Sequence, residues 1–496
     1  MRKTTALLTI AILLATGGVM AAFAGGKAET GGGGGTLPPV TLTMIIPGPP
    51  QKDQQRVDDA ISKYLQPTLN VKLDIKQYDY SGWNDRSNLV IASGENCDIL
   101  FSAAWSDFGP QATKGAFVEL TDLLNKYGQD ILKQPYAWIL DAGKIGGKLY
   151  GLATYEEIAQ QRGFFLRKDL VDKYHFTVKP INDPADLEPM LKTIQQNEPS
   201  MQPLYMQRGH LLSEMGPWDR QSDNEVTAMD VTNPKAQYVN FFDNDYYRTS
   251  MNLARRWFVN GYTNKDVATS QANEYDVMRG GNTFAVGGIT NAGLQDARFS
   301  AMWGVPVVSF STGKSIISTS LIQGALFVIP IQSKNRERAM MFLDRMHTDP
   351  VLVNLLVYGQ EGVDYVKKGP TQIDLPPGVK AGTTFSGVYW MMGNESLEYT
   401  YGNQDPNFPK LLNDWIQGAV HTPALGFTYN PEKMKNQMAA LSNIGLQYDP
   451  ELSSGSVDPN GGLYQELLGK LKDAGINDLL ADQNQQLQAF LSASKK

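Results

Sequence analysis

The chain of 496 residues contains one cysteine and four histidines, and both scarcities exclude kinds of site. Cys97 has no second cysteine to pair with, so no disulfide can form within the chain. The histidines, at positions 175, 210, 347 and 421, are far apart, and none shows the spacing of a zinc ligand set. The sequence therefore predicts no metal centre and no cofactor.

Short catalytic motifs and basic runs are missing as well. The sequence has no G-x-S-x-G nucleophile elbow and no phosphate-binding P-loop. It has no block of lysine and arginine, and its formal net charge is −7, so we expect no nucleic acid partner. These absences favour a binding protein over an enzyme.

A continuous apolar run occurs only at the amino terminus. Two basic residues precede it, and Ala22 and Ala24 supply small side chains at the two positions that a signal peptidase reads. Residues 1–24 are therefore predicted to be a cleaved signal peptide, followed by a flexible linker over residues 25–39. An uncleaved anchor is the alternative, because the run carries no charge. We expect a periplasmic or secreted protein without the cysteine that a lipid anchor needs.

The first part of the remaining chain alternates strands and helices. Strands are predicted over residues 40–46, 71–78 and 98–102, with helices over residues 54–65 and 84–93 between them. This βαβαβ order predicts a parallel sheet with right-handed crossovers. In such sheets, ligands bind beyond the carboxyl ends of the strands.

A second series of strands begins after a polar connection, and the length of the chain is sufficient for two lobes. We predict an α/β fold in which two lobes form a clamshell with hinge crossovers and a mainly helical C-terminal part. An irregular insertion is expected over residues 207–233 and a central strand over residues 320–329. The predicted lobe boundaries are residues 40–153 and 310–385 for the first lobe, and residues 154–309 and 386–496 for the second.

Three stretches resemble a known family. They are DILFSAAWSDFG (98–109), SKNRERAMMFLDRMHTDPVLVNLLVYGQEGVDYV (333–366) and a C-terminal region that begins with ALGFTYNPEKMKNQMAAL (424–441). They are similar to family 1 extracellular solute-binding proteins of bacterial ABC importers, and in particular to the LplA/LipO-like oligosaccharide-binding subgroup, which is related to alginate- and maltodextrin-binding proteins.

This resemblance implies a monomeric protein that captures an oligosaccharide between its lobes by hinge closure and delivers it to the permease subunits. The sequence departs from the family in two respects. It lacks the lipid-bearing cysteine, and it lacks the run of Asp and Asn residues that forms the calcium loop of the alginate binders. Structural calcium is therefore not expected.

Sugar sites combine aromatic side chains, which cover the apolar CH faces of the rings, with carboxylates and amides that hydrogen-bond the hydroxyls. The resemblance places Trp105 and Asp107 on a sugar-contacting loop, and Tyr155 and Glu156 on the crossover between the lobes. Other aromatic and polar residues near the expected rims complete the set of candidate ligand-binding residues: Ser106, Arg208, Trp218, Glu361, Tyr389, Trp390 and Asn394.

Structural roles remain as alternatives for these residues. Trp105 could cap the sheet, Tyr155 and Glu156 could belong to a hinge that is hydrogen-bonded to itself, and Trp218 could pack in a small satellite core. Two functional alternatives also remain open. One is a secreted polysaccharide-degrading enzyme with Glu156 and Asp107 as its carboxylate pair. The other is a peptide-binding receptor.

Overall fold

The computed structural model describes residues 37–179, 183–207, 211–220, 226–270, 272–380 and 382–494. The predicted signal peptide, most of the predicted linker and Arg208 lie outside these described residues. Within the described ranges, no helix has both the length and the hydropathy that crossing a membrane requires.

The first sheet has five strands. In spatial order they are Val71–Tyr78, Val40–Pro47, Ile99–Ser102, Leu326–Val328 and Gly151–Ala153. The first three are parallel, as predicted, whereas Leu326–Val328 is antiparallel to both of its neighbours. On the edge strand, Val71, Leu73 and Ile75 are buried while Lys72 is exposed, which is the alternation of a strand covered on one face.

Several helices pack around this sheet in one hydrophobic core, to which Ile322 of the short helix Thr319–Ile322 also contributes. They are Gln54–Leu65, Trp83–Ser93, Phe108–Thr113, Thr121–Tyr127, Gln129–Leu132, Arg336–Thr348, Pro350–Tyr358 and Phe408–Gly418. The start of Pro350–Tyr358 illustrates how the sequence sets a boundary. The side chain of Asp349 accepts hydrogen bonds from the first free backbone N–H groups, and proline, which lacks an N–H, occupies the next position.

The prediction of a central strand over residues 320–329 is wrong for the first half of that range. Thr319–Ile322 is a short helix, and the strand is confined to Leu326–Val328. The helix forms because the Ser318 hydroxyl accepts a hydrogen bond from the backbone N–H of Leu321 at 3.2 Å. The apolar composition of this stretch did not distinguish a buried helical turn from a strand.

The second sheet has four strands, in the order Val307–Ser311, Arg162–Arg167, Thr283–Ile289 and Gln202–Tyr205. Both of its faces are covered. Phe164 and Leu166 point into one core, and Phe165 points into another. The helices on the first face are Lys168–Lys173, Glu188–Asn197 and Asp245–Val259, and those on the second are Glu274–Arg279 and Asp296–Trp303.

The insertion expected to be irregular over residues 207–233 is partly regular. It contains the helix Leu211–Glu214 and the strands Trp218–Asp219 and Thr227–Asp230. The strand Thr227–Asp230 is the centre of a small antiparallel sheet, with Trp218–Asp219 on one side and Tyr238–Asn240 on the other. These strands have two to four residues each, which is too short for an alternating pattern to be visible in the sequence.

The C-terminal part is helical, as predicted. The helices Lys435–Ser453, Gly462–Asp473 and Ile476–Ser494 share a core with the small sheet of the insertion. A buried hydrogen bond of 2.6 Å from the hydroxyl of Tyr247 to Oδ1 of Asp449 fixes the first of these helices to Asp245–Val259. The remaining strands form short pairs: Lys144–Ile145 with Lys148–Leu149, Ile316–Ile317 with Val420–His421, and Gln372–Asp374 with Val366–Lys367 and Thr400–Tyr401.

Candidate functional site

Two segments run side by side between the sheets. The first leaves Gly151–Ala153 of the first sheet and enters Arg162–Arg167 of the second. The backbone N–H of Tyr155 donates to the carbonyl of Gly393 at 2.7 Å, and the N–H of Glu395 donates to the carbonyl of Tyr155 at 2.8 Å. Residues 154–161 connect the two sheets, residues 390–398 pair with them, and we call these two segments together the hinge.

Three predicted ligand-binding residues are buried in this hinge. The ring of Tyr155 stacks on Tyr136 with centroids 4.1 Å apart, and its hydroxyl donates to Asn413. The side chain of Asn394 donates to the hydroxyl of Tyr136 at 3.0 Å and to the carbonyl of His347 at 3.1 Å. Glu156 is also buried. Ligand contact by these residues stays a prediction, and their observed contacts are those of a hinge hydrogen-bonded to itself.

The hinge also contains an unusual concentration of buried acids: Glu156, Glu157, Glu395 and Glu398. Two of them pair with the buried Arg298, whose Nη1 lies 2.8 Å from Oε1 of Glu395 and whose Nη2 lies 3.1 Å from Oε2 of Glu398. One guanidinium cannot compensate four buried carboxylates, because removing each charge from water is costly. Some of these carboxyl groups must therefore be protonated.

The shifts in pKa agree with that conclusion. Burial, reinforced by the charge of Glu395, raises the pKa of Glu156 to about 8. Burial and the same neighbour raise the pKa of Glu157 well above its ordinary value, although Asn291 donates to its Oε2 at 2.6 Å. Burial also raises the pKa of Glu398 against the opposing effect of Arg298.

A cavity of about 580 Å³ lies beside the hinge, and we call it the cleft. Its walls come from five parts of the chain: the loop after Ile99–Ser102 in the first sheet, the end of the hinge with Arg162, the insertion, residues 314–321, and the C-terminal helix Lys435–Ser453. The lining residues are Ala104, Trp105, Gln160, Arg162, Glu214, Met215, Gly216, Trp218, Arg220, Lys314, Ile316, Ser320, Leu321, Ser442 and Leu446.

Trp105 stands at the carboxyl end of a strand of the first sheet. Its indole N–H donates to the carbonyl of Gly324 at 2.9 Å, and its ring leans on Phe101. The residue nevertheless remains 41% exposed. The ring is thus fixed at its edge and accessible from the cleft. The next two residues, Ser106 and Asp107, were also predicted to bind ligand, but they do not line the cleft. Ser106 is buried, and Asp107 accepts a hydrogen bond from Asn88 at 3.2 Å.

Trp218 lines the cleft from the insertion. Edge-to-face contacts with Phe241 and Tyr246, at centroid distances of 5.8 and 5.9 Å, hold its ring. Gly216 is required beside it, because a Cβ at that position would come within 2.2 Å of Nε1 of Trp218. Trp105 and Trp218 therefore present two aromatic rings to one cavity from distant parts of the sequence.

Charged side chains line the cleft near the two rings. Nη1 of Arg162 lies 3.1 Å from Oε2 of Glu214, and Nη1 of Arg220 lies 3.7 Å from Oε1 of the same carboxylate. Lys314 is exposed in the same lining. These groups can hydrogen-bond hydroxyls or anionic substituents of a ligand.

Three other predicted residues lie away from the cleft lining. The guanidinium carbon of Arg298 lies 3.9 Å from the centroid of the Tyr389 ring, and Trp390 packs edge-on against Phe101. Glu361 forms an ion pair of 3.2 Å with Lys367. Ligand contact by Tyr389, Trp390 and Glu361 stays a prediction, as it does for Arg208, which lies outside the described residues.

Sequence reasoning did not select Glu214, Lys314 or Leu446, although all three line the cleft. Each is a common residue type in a segment without a motif, so only the folded chain brings them together. Among the described residues, no three His, Cys, Asp or Glu side chains are placed so that they could hold a metal ion.

Two sheets covered by helices, the hinge that joins them and a cleft lined by aromatic and polar groups are the features of a protein that binds a solute. The comparisons with known proteins give the family. The sequence model of the family of bacterial extracellular solute-binding proteins matches residues 59–355, and the chain belongs to that family. It is therefore a solute-binding protein and not an enzyme. A second model, described as a domain of unknown function (DUF3502), matches residues 423–492.

Individual relatives agree with this assignment. The chain is 27% identical over 446 residues to a carbohydrate ABC transporter substrate-binding protein of Streptococcus pneumoniae, covering 88% of this chain and 87% of the relative. It is also similar to the crystal structure of the N-glycan transport solute-binding protein NgtS of the same species. That match has 25% identity and a TM-score of 0.84, and covers 92% of this chain and all of NgtS.

A more distant structure shares the fold alone. The alginate-binding protein AlgQ2, solved without calcium, is 16% identical with a TM-score of 0.60, and the match covers 91% of this chain and 98% of AlgQ2.

Proposed function

We propose that this protein is the extracytoplasmic receptor of an ABC importer, which captures an oligosaccharide in the cleft and delivers it to the permease subunits. The observation that carries this proposal is the placement of Trp105 and Trp218, with Arg162 and Glu214, in the lining of one cavity. The similarity to a carbohydrate ABC transporter substrate-binding protein and to an N-glycan transport solute-binding protein supports the same class of ligand.

The two rings are consistent with the affinity that such a receptor needs. Covering one aromatic face removes roughly 75–100 Å² from water, which contributes about 2 kcal/mol before other costs. Micromolar binding requires about 8 kcal/mol after the costs of association. Both tryptophans and several hydrogen bonds from the charged groups are therefore needed.

The finer identity is also a proposal. The similarity to NgtS, whose structures include complexes with Man1GlcNAc and Man5GlcNAc, favours an N-glycan-type oligosaccharide. We place the protein in the LplA/LipO-like subgroup and in the periplasm or outside the cell, acting as a monomer. We propose the two predicted lobes with a changed boundary: residues 386–418 belong to the first lobe, because Met391, Met392 and the helix Phe408–Gly418 pack in that core.

Isothermal titration with Man5GlcNAc tests this function. We expect saturable binding by the wild type and an affinity about tenfold lower for Trp105→Ala, since one ring face is lost. Trp138→Ala is the matched control, because Trp138 is also partly buried but does not line the cleft. Binding of peptides without binding of any oligosaccharide, or release of sugar products at catalytic rates, would contradict the proposal.

A further inference from the structure

The helix Lys435–Ser453, which we call the wall helix, reaches the cleft. Ser442 and Leu446 of this helix line the same cavity as Trp105. They are four residues apart and therefore lie on the same face of the helix, one turn from each other. Both belong to the region that matches a domain of unknown function. The name of that domain assigns no role to this region, and two of its residues line the cleft.

Leu446 is 50% exposed, although leucine is apolar. An isolated exposed leucine needs no explanation. This one lines a cavity together with Trp105, which is also exposed, and Trp218. Apolar side chains left accessible inside a concave site are the groups that gain most when a ligand covers them.

The position of the wall helix is fixed by its other face. Leu441 and Leu452 are buried in the core of the C-terminal part. Gly445, next to Leu446, lets the helix approach the insertion closely, since a Cβ there would lie 3.2 Å from Val226 and 3.3 Å from Phe242. Leu446 is therefore carried on a rigid element, as a binding site requires.

We propose that the wall helix is a ligand-contacting wall of the cleft and that Leu446 is a specificity-determining residue. Its side chain covers an apolar CH face of the bound oligosaccharide, and the hydroxyl of Ser442, one turn away, hydrogen-bonds a sugar hydroxyl. This inference rests on the proposed function and adds a role for the C-terminal helices, which would otherwise serve only to stabilise the fold.

The test is isothermal titration of the wild type, Leu446→Ala and Leu446→Asp with Man1GlcNAc and with Man5GlcNAc. We expect Leu446→Ala to weaken binding of at least one of these glycans about three- to tenfold, because about half of a leucine side chain is no longer covered. Leu446→Asp is expected to weaken it further, since a charge then faces the CH groups. The loss is expected to be larger for the longer glycan if the wall lies at an outer subsite.

Leu89→Asp is the matched control. Leu89 is 56% exposed on the helix Trp83–Ser93 and does not line the cleft. Its substitution is expected to leave both affinities unchanged. Thermal unfolding of each variant checks that it is folded, and Leu446→Ala, which introduces no charge, keeps the test valid if the aspartate variant does not fold.

The outcomes separate this inference from the proposed function. Unchanged affinity of both Leu446 variants for a glycan that the wild type binds would overturn the role of the wall helix and leave the receptor assignment intact. A wild type that binds no oligosaccharide would overturn both. A loss specific to the Leu446 variants supports the inference for either glycan.

Discussion

Glu156 was predicted as a polar residue of the crossover, with a role either in ligand contact or in the hinge. The sequence marked it as a polar group on the crossover, and the structure buries it among other acids in the hinge. A carboxyl group in that environment keeps its proton near neutral pH, because burial removes the charged form from water and ionisation would also place a further negative charge beside Glu395. We therefore assign it an effect on stability.

The substitution Glu156→Gln tests that effect. The pKa of Glu156, about 8 in the folded chain against 4.5 ordinarily, means that the folded state holds more protons than the unfolded state between those pH values. Protonation of Glu156 therefore stabilises the folded state fully below pH 4.5, and this stabilisation is lost as the pH rises through 8. Glutamine removes the titration, so we expect the variant to be more stable than the wild type at pH 8 by roughly 1–3 kcal/mol.

Urea unfolding at pH 5 and pH 8 measures this difference. The advantage of the glutamine variant is expected to be smaller at pH 5, where the wild-type carboxyl group is still protonated. An equal difference at both pH values would contradict the pKa assignment.

Cys97 gives a second prediction for a single residue. It is buried and unpaired, and burial raises the pKa of its thiol to about 12. Because the thiolate is the reactive form, the native protein is expected to resist alkylation by iodoacetamide at pH 8 and to react once it is unfolded in urea. Mass spectrometry of the two reactions provides the measurement. Rapid labelling of the native protein would show that the thiol is accessible.

At the scale of elements, the hinge depends on the close approach of its two segments. Gly393 accepts the hydrogen bond from Tyr155 and has φ +83°, and a Cβ there would lie 2.2 Å from the carbonyl oxygen of Met346. Only glycine fits this combination of positive φ and backbone contact. The pairing of the two hinge segments therefore rests on the absence of one side chain.

Gly393→Ala is accordingly expected to lower the free energy of unfolding by about 2–4 kcal/mol. Gly402→Ala is the matched control: its φ is also positive, at +57°, but nothing lies within 4 Å of the added Cβ. The control is expected to lose about 1 kcal/mol, the cost of the backbone conformation alone. Equal losses at the two positions would show that the contact with Met346 does not matter.

For the molecule as a whole, we expect ligand binding to reduce the radius of gyration. If ligand contacts come from the first sheet through Trp105 and from the insertion through Trp218, a ligand that touches both stabilises the form in which they are closest. Small-angle scattering is expected to show a smaller radius of gyration with saturating Man5GlcNAc than without it. The same titration should raise the free energy of unfolding by about 2.7 kcal/mol at 100 times Kd. Stabilisation without any change in radius would favour a rigid cleft over hinge closure.

Regular elements with strong periodicity were readable from the sequence. The helix Gln54–Leu65 and the strand Val71–Tyr78 have the bounds that were predicted, because each has one buried face that imposes its own spacing on the apolar residues. The strand predicted over residues 320–329 and the irregular insertion were wrong in part. Those segments are short or buried on all sides, and no periodicity remains to distinguish a strand from a helical turn.

The candidate site was predictable only in part, for a related reason. Trp105 was selected by its position after a parallel strand and Trp218 by its position after Gly216 and Pro217 in the insertion, and both line the cleft. Tyr155 and Asn394 were selected by their place on predicted crossovers, and in the structure their side chains form hydrogen bonds at the hinge. Which face a side chain presents depends on the neighbouring segment, and that neighbour is hundreds of residues away in sequence.

By itself, the sequence determined the alternation of elements, the parallel order of the first three strands and the absence of a disulfide, because each follows from local periodicity or composition. Only the tertiary structure decided the pairing of the hinge segments, the burial of four acids around Arg298 and the assembly of the cleft from five parts of the chain. Each of these requires contacts between distant segments, and no local pattern encodes the distance between them.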